Sequence, residues 1–328
     1  MKIIRLENSI YTGSLNLIII LENAALFLAS VLVLAKSAGY ATKCMIDIAR
    51  YMRLSEFFVT FVIAGVISIM PELFIGINSA MAGSPGIGVG TLIGSNIADL
   101  TLIVGIVALA GKKIIVDSSI MKNNTAFLAV TGLPVLLMLD GQLSGDDGII
   151  LVVAFLFYIM QFVRKEKMFS NQNPKNAVPV AKSLVIFTIA VAVLFVSAHF
   201  IVESVVGISQ QLLVPSIAIG MFLVAFGTTM PELAFSLRAV LAKHREIALG
   251  DILGNVAADC TLSIGIVAII SPVQTAFSTF ATSMLFMVFA ALLVVTLMQD
   301  GRKITSNDSL LLFFLYAMFA VIELRSYF

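Results

Sequence analysis

A short motif occurs twice in the chain, as SIMPEL at residues 68–73 and as TTMPEL at residues 228–233. Each copy is followed by a glycine-led segment, GSNIAD at 94–99 and GNVAAD at 254–259. The two glutamates are 160 residues apart, and so are the two terminal aspartates. A constant offset across acids, prolines and glycines indicates an internal duplication, and all four acids lie inside apolar runs.

The composition predicts an all-α polytopic membrane protein whose main partner is the lipid bilayer. Of 328 residues, 60% are hydrophobic and 12% charged, with a mean hydropathy of +1.07, whereas a soluble domain carries about a quarter charged residues. Apolar runs recur that can cross a hydrocarbon core of about 30 Å. A net charge of +1 gives no indication of nucleic-acid binding. Cys44 and Cys260 are too far apart in sequence to indicate a metal site or a disulfide framework.

Apolar runs and polar interruptions predict about ten transmembrane helices. The predicted spans are 15–36, 55–80, 86–111, 124–140, 147–164, 183–208, 215–241, 246–271, 279–299 and 307–325. We expect two halves of five helices, residues 1–164 and 183–328, joined by a polar linker at 165–182. The duplicated regions are 55–111 in the first half and 215–271 in the second.

Basic residues in the connections predict the orientation, because cytoplasmic connections carry an excess of Lys and Arg. They follow spans one, three, five, seven and nine: Lys43, Arg50 and Arg53; Lys112, Lys113 and Lys122; Arg164, Lys165, Lys167 and Lys175; Lys243 and Arg245; Arg302 and Lys303. Both termini are then extracellular or periplasmic. An odd number of helices per half means that the repeats are inverted, as in many transporters with a midplane binding site.

A proline precedes the glutamate in each copy, at Pro71 and Pro231. Proline cannot donate to the carbonyl four residues earlier and opens the helical turn. Such backbone is tolerated at membrane depth where it lines a cavity. A hydroxyl shares the helix face of each glutamate, Ser68 with Glu72 and Thr228 with Glu232. Each copy therefore offers the oxygen ligands that hard cations prefer.

The downstream segments add a second set of polar groups to each copy. Four residues before each aspartate stands another polar side chain, Ser95 before Asp99 and Asn255 before Asp259. Glycines at the same spacing, Gly90 with Gly94 and Gly250 with Gly254, allow close helix packing. Four bare carboxylates in the membrane would cost roughly 10–14 kcal/mol. Bound cations, protons or both must therefore offset their charge.

In these motifs the sequence resembles the cation/calcium antiporter superfamily, in its sodium/calcium exchanger branch. The family's repeats read G-T-S-x-P-E and G-S-N-x-x-[DN], which residues 227–232 and 94–99 match well. The resemblance covers nearly the whole chain and implies a prokaryotic cell (inner) membrane antiporter that exports Ca²⁺ against Na⁺ by alternating access. It implies transported ions but no cofactor, no enzymatic activity and no obligatory protein partner.

The resemblance also implies roles for individual residues. Glu72 and Glu232 would be the central Ca²⁺ ligands, with the backbone carbonyls of Ser68 and Thr228. Asp99 and Asp259 would complete a ring around the middle site. The coupling ion would use the flanking Ser95, Thr229 and Asn255 together with these four acids. Spans one and six would form a long, tilted pair that slides against the remaining helices.

The motifs depart from the family pattern at several positions, which leaves the coupling ion open. Ile69 cannot ligate where the family has serine, and Asn255 replaces a serine. Both Asp99 and Asp259 are acids, whereas related exchangers often have one asparagine. Close like charges favour protonation of one member. An H⁺-coupled antiporter of Ca²⁺ or another divalent cation is therefore the alternative hypothesis.

Two further functions are compatible with buried acids. A passive cation channel is less natural, because inverted repeats with interrupted helices suit alternating access. An intramembrane aspartyl protease would use Asp99 and Asp259, but residues 248–251 read ALGD and lack the first glycine of the G-x-G-D pattern. The protease hypothesis also gives no role to two Pro-Glu motifs.

Overall fold

The structure is a computed structural model that describes residues 2–52, 68–116, 121, 123–163, 180–241, 245–274 and 277–327. Arg53, Lys122 and Lys243, the first part of the second predicted span and most of the predicted linker lie outside these residues.

The first half is built from six helices and two short strands among the described residues. In chain order these are α1 (Lys2–Tyr51), α2 (Met70–Met81), α3 (Pro85–Ala98), a π-helical turn (Asp99–Ile103), α4 (Val104–Gly111), β1 (Lys113–Ile115), α5 (Asn124–Leu137), a 3₁₀ turn (Met138–Asp140), β2 (Gln142–Leu143) and α6 (Gly145–Val163).

The described part of the second half repeats this order. It contains α7 (Val180–Leu212), α8 (Ser216–Ile219), a π-helical turn (Gly220–Val224), α9 (Ala225–Leu241), α10 (Arg245–Ala258), a π-helical turn (Asp259–Ser263), α11 (Ile264–Ile270), β3 (Val273–Gln274), α12 (Phe277–Gln299), β4 (Lys303–Thr305) and α13 (Asp308–Tyr327).

The prediction of an all-α membrane protein is confirmed. Seven continuous helical segments of the described chain are long and apolar enough to span a membrane. A shorter apolar helix occupies Asn124–Asp140, and α6 covers the predicted fifth span. The remaining predicted span, 55–80, is described only in its second part, which contains α2.

The first helix is much longer than the predicted span 15–36. We expected Lys43 and Arg50 in a loop, and this was wrong, because both lie in α1. Charged residues such as Lys43 mark the end of the membrane-embedded part of the helix, but they do not break its backbone hydrogen bonds. The sequence of α1 also contains no proline that would interrupt it. At 1.5 Å per residue α1 is about 75 Å long. The predicted linker also ends early, because α7 begins at Val180.

The duplication in the sequence is a duplication in the structure. Helices α3 and α10 begin and end 160 residues apart, and each runs directly into a π-helical turn, at 99–103 and 259–263. The extra residue in each π turn was not foreseen from the sequence. Such turns occur mostly as single interruptions of α-helices and frequently at functional sites.

Two small antiparallel strand pairs connect the halves. Strand β1 pairs with β4, so that Ile114 lies opposite Ile304, and β2 pairs with β3. Each pair joins one strand from each half. Because the halves are duplicates, β1 corresponds to β3 and β2 to β4, so that the two pairs are equivalent crosslinks between repeats.

Burial separates enclosed helices from peripheral ones, which include α1, α7 and α13. In the most apolar windows of the helical segments 85–111 and 248–270, 83% and 78% of residues are buried inside the protein. The corresponding shares for 18–48 and 180–212 are 17% and 33%. Helices α1 and α7 pack along each other at the periphery, and the acids of the repeated motifs are held by the enclosed group and its neighbours.

Candidate cation site

Glu72 lies at the start of α2 and is buried in the protein. The helical path is interrupted at Ile69, and α2 begins at Met70, with Pro71 in its first turn. The Glu72 side chain is only 1% exposed, and neither carboxylate oxygen has a hydrogen-bond partner among the described residues. The Thr228 hydroxyl lies beside it, but donates its proton to the Ala225 carbonyl at 3.0 Å. Both oxygens of Glu72 remain available to a ligand.

Glu232, the counterpart of Glu72, is held by a hydrogen bond. It lies in α9, which continues through Pro231 without a break. The Asn255 side-chain amide donates to Glu232 Oε1 at 2.9 Å. Asn255 Oδ1 in turn accepts a hydrogen bond from the Ser68 hydroxyl. This chain of polar groups connects the first repeat's motif to the second repeat's glutamate.

Asp99 and Asp259 each occupy the first position of a π-helical turn and are almost completely buried. The Ser263 hydroxyl donates to Asp259 Oδ1 at 2.9 Å. The equivalent position in the first repeat is Ile103, which has no donor, and Asp99 Oδ1 has no partner among the described residues. The carboxyl group of Asp99 lies against that of Glu232.

The four acids are close enough for their charges to interact. Glu72 acts electrostatically on each of the other three, and Asp99 acts on Glu232 and Asp259. Within the described part of the chain, however, no three Asp, Glu, His or Cys side chains converge closely enough to hold a metal ion. The carboxylates therefore do not form a closed cage, and a cation here needs hydroxyl and carbonyl oxygens as well.

A cavity of about 460 Å³ leads from this cluster toward the C-terminal end of α1. Its inner wall contains Ser68, Thr228 and Glu232, and its outer part contains Lys43 and Asp47. The remaining charged lining residue is Asp251, from α10. Sequence reasoning considered Asp251 only as part of a protease motif and missed its place beside the glutamate. The four-residue spacing from Asp251 to Asn255 was the available signal.

The other predicted ion-binding residues donate their hydroxyl protons to carbonyls of their own helices. Ser95 donates to the Leu92 carbonyl at 3.0 Å, and Thr229 donates to the Phe226 carbonyl at 3.2 Å. Ile69, at the position equivalent to Thr229, is fully buried in a small apolar cluster with Phe155 and Ala258. The two flanks of the site therefore differ in polarity.

The glycines predicted for helix packing differ between the repeats. A methyl group at Gly94 would overlap the backbone of Met221, and one at Gly90 would come within 2.9 Å of the Ile217 carbonyl. Helix α3 is thus pressed against α8 and its π turn. A methyl group at Gly254 meets no described atom within 4 Å, and Gly250 is buried within α10.

Comparisons with known proteins assign the family. The sequence model of the family described as sodium/calcium exchanger protein matches residues 22–164 and 182–325. The chain belongs to the sodium/calcium exchanger protein family. This exchanger is 31% identical to an uncharacterized membrane protein of Methanocaldococcus jannaschii over 65% of its own length and 70% of the relative's. It is 22% identical to the sodium/calcium exchanger MaX1 of Methanosarcina acetivorans, over 92% and 98% of the two chains.

A solved structure agrees with this assignment. The sodium-calcium exchanger NCX_Mj, soaked with 10 mM Na⁺ and zero Ca²⁺, superposes with a TM-score of 0.67 and 26% identity, over 91% of this exchanger and 98% of that chain. The family match and this likeness make the protein an integral membrane transporter of the Ca²⁺-exchange class, and not an enzyme.

Proposed function

We propose that this exchanger moves Ca²⁺ against Na⁺ by alternating access at the site between the two repeats. The observation that carries the proposal is the state of Glu72, which is buried with two carboxylate oxygens that no described residue satisfies. An isolated buried carboxylate is strongly unfavourable, because water no longer solvates its charge. A bound cation supplies the missing interaction.

The charge and geometry of the cluster suit a divalent ion. Asp99 contributes another oxygen without a partner among the described residues, and Glu232 and Asp259 lie close enough to interact with both. Ca²⁺ takes 6–8 oxygen ligands from carboxylates, carbonyls and water in flexible geometry. The backbone carbonyls of Ser68 and Thr228, the first residues of the two motifs, complete the proposed set.

The coupling ion is proposed to bind on the flanks of the central site. Thr229 and Asn255 provide oxygens on one flank, and Ser95 provides one near Asp99. Sodium is the coupling ion that the family suggests. One observation favours protons as the second candidate, since the carboxyl groups of Asp99 and Glu232 lie against each other. Two carboxylates in contact are stabilised by a shared proton.

The cavity supports an alternating-access mechanism. It reaches Ser68 and Glu232 from the side of Lys43 and Asp47, which the basic residues assign to the cytoplasm. By the same predicted orientation, the contact between α3 and the backbone of Met221 lies toward the opposite side of the membrane. We therefore propose an inward-facing state, a prokaryotic inner-membrane location and both termini outside. Closure of the cavity would accompany movement of the peripheral pair α1 and α7.

The decisive experiment measures ⁴⁵Ca²⁺ uptake into proteoliposomes with an imposed Na⁺ gradient or an imposed pH gradient. We expect uptake driven by an outward Na⁺ gradient and abolished in Glu72→Gln. A protonophore should leave this Na⁺-driven uptake in place. Uptake driven only by the pH gradient would replace Na⁺ with H⁺, and currents far above carrier turnover would indicate a channel.

A further inference from the structure

Helix α10 carries a fifth carboxylate on the face that holds the site residues. Asp251, Asn255 and Asp259 follow one another at four-residue spacing, so their side chains form a row on one side of the helix, about 6 Å apart. Asp259 belongs to the acid cluster, and Asn255 donates to Glu232. Asp251 is therefore the next polar group along the row, one turn toward the mouth of the cavity.

The lining of the cavity places Asp251 in contact with its interior. Asp251 is half-buried and shares the lining with Glu232, Lys43 and Asp47. Its charge acts electrostatically on both Glu232 and Asp99. Lys43 and Asp47 are four residues apart on α1, a spacing at which opposite charges are neighbours on a helix surface. On α10, no residue three or four positions from Asp251 is basic.

The first repeat has no equivalent of this carboxylate. The position 160 residues earlier is Thr91, which is fully buried and donates to the Ile87 carbonyl at 2.8 Å. Gly220 packs directly against this turn, so that a methyl group there would lie 2.7 Å from the Ile87 carbonyl. The duplicated position is therefore a closed helix contact in one repeat and an acid in an open cavity in the other.

From this placement we infer that Asp251 is a specificity-determining residue of the ion pathway, which increases the affinity for divalent cations entering from the cavity side. Its negative charge attracts a cation into the cavity, from which the cation moves on to Glu232 one turn deeper. The effect is confined to one side of the membrane, because Thr91 supplies no matching charge in the other repeat. This inference rests on the proposed exchange function.

The first test is Asp251→Asn in proteoliposomes of known orientation, with ⁴⁵Ca²⁺ presented from either side. We expect the half-saturating Ca²⁺ concentration on the cavity side to rise about tenfold, with an unchanged maximal rate and an unchanged value on the other side. Asp251→Glu should restore most of the affinity. Asp300→Asn removes an exposed charge predicted to lie on the same side and should change neither value.

Equal changes on both sides, or no change on the cavity side, would overturn the inference. A second test does not depend on which ion drives transport. Asp251→Cys, in a chain whose Cys44 and Cys260 are replaced by alanine, should react with a membrane-impermeant cationic methanethiosulfonate from the cavity side only. Ca²⁺ should slow that reaction.

Thr91→Cys is the matched control for accessibility and should stay unreactive from the cavity side. An Asp251→Cys variant whose new thiol reacts from neither side, or equally from both, would remove Asp251 from the pathway. If the thiol reacts from the cavity side only but the protein does not transport Ca²⁺, the aqueous path to Asp251 is supported and the proposed function is refuted. The two failures can therefore be told apart.

Discussion

The two repeats share one backbone pattern but differ in the hydrogen bonds that their carboxylates accept. In the second repeat Glu232 accepts from Asn255, and Asp259 accepts from Ser263. In the first repeat both oxygens of Glu72 and one oxygen of Asp99 have no partner among the described residues. The second repeat therefore holds its carboxylates in place with its own polar groups, and the first repeat leaves carboxylate oxygens for an ion.

Two sequence differences cause this asymmetry. Where the second repeat has Asn255, the first has Ser95, whose shorter side chain donates to its own helix at the Leu92 carbonyl. Where the second has Ser263, the first has Ile103, which is buried and apolar. Both repeats therefore have the same helices and the same acids. The different residues beside those acids make the two halves of the site chemically distinct.

The largest expected effect comes from neutralising the unpartnered acid. Glu72→Gln should reduce Ca²⁺ exchange by on the order of 100-fold or more, since leaving a buried charge without its partner costs about 3–5 kcal/mol. Folding should persist or improve, because the substitution removes a buried charge. Uptake assays and thermal unfolding in the same detergent measure the two effects.

Glu232→Gln is the counterpart in the second repeat. It should also reduce exchange strongly, but with a smaller gain in stability, because the hydrogen bond from Asn255 already stabilises the Glu232 carboxylate. Wild-type flux in either variant would contradict the site, and equal stability changes would contradict the asymmetry.

A smaller effect is expected from the glycines that bring helices together. Gly94→Ala forces a methyl group into the backbone of Met221, and overpacking of this kind costs about 1–3 kcal/mol or more. Gly254→Ala meets no described atom within 4 Å and should be tolerated. Thermal unfolding and yield of folded protein compare the two variants. Equal destabilisation would show that both repeats pack tightly at this position.

The sequence predicted the class and the duplication correctly, because apolar runs and motif spacing are properties of the chain alone. The structure brings the four acids near one another, and their role as ion ligands stays a prediction. It could not predict that α1 continues to Tyr51, since a charged residue ends a hydrophobic run without ending a helix. It also did not reveal the π turns at Asp99 and Asp259. A hydroxyl that donates to the carbonyl four residues back, as at Thr101, also occurs in regular α-helices, so Thr101 does not indicate a π turn.

The hydrogen bonds around the site required three-dimensional information. Asn255 bridges Ser68 and Glu232, which lie far apart in sequence, and its predicted role was that of an ion ligand on the flank. Likewise Asp251 gains significance only because the cavity places it near Glu232 and Lys43.

The polarity of the flanks should have a weaker effect, on the coupling ion. Ile69→Thr reproduces the hydroxyl of Thr229 in the first repeat and should lower the half-activating Na⁺ concentration by roughly threefold, with a stability cost of about 1–3 kcal/mol for the buried hydroxyl. Thr229→Val is the opposite change and should raise that concentration. Na⁺ titrations of ⁴⁵Ca²⁺ exchange measure both.

An unchanged Na⁺ dependence in both variants would place the coupling ion away from these flanks. An increase in proton dependence instead of Na⁺ dependence would favour the H⁺-coupled alternative.

The smallest effect is expected from exchanging the partners of the aspartates. Ser263→Ala removes the hydroxyl that donates to Asp259 at 2.9 Å, a bond worth about 0.5–1.5 kcal/mol. The apo protein should be less stable, and Ca²⁺ should stabilise it more strongly, because the freed oxygen is now available to the ion. Ile103→Thr should do the reverse by offering Asp99 a donor. Ca²⁺-dependent shifts in thermal unfolding compare the two variants with wild type.

Opposite shifts would show that the hydrogen-bond donors beside the aspartates decide how much each repeat contributes to the ion. A smaller Ca²⁺-dependent shift in both variants would mean that Asp259 keeps its hydrogen bond to Ser263 while the cation is bound. The second repeat would then orient the site, and only the first repeat, through Glu72 and Asp99, would exchange protein contacts for ion contacts.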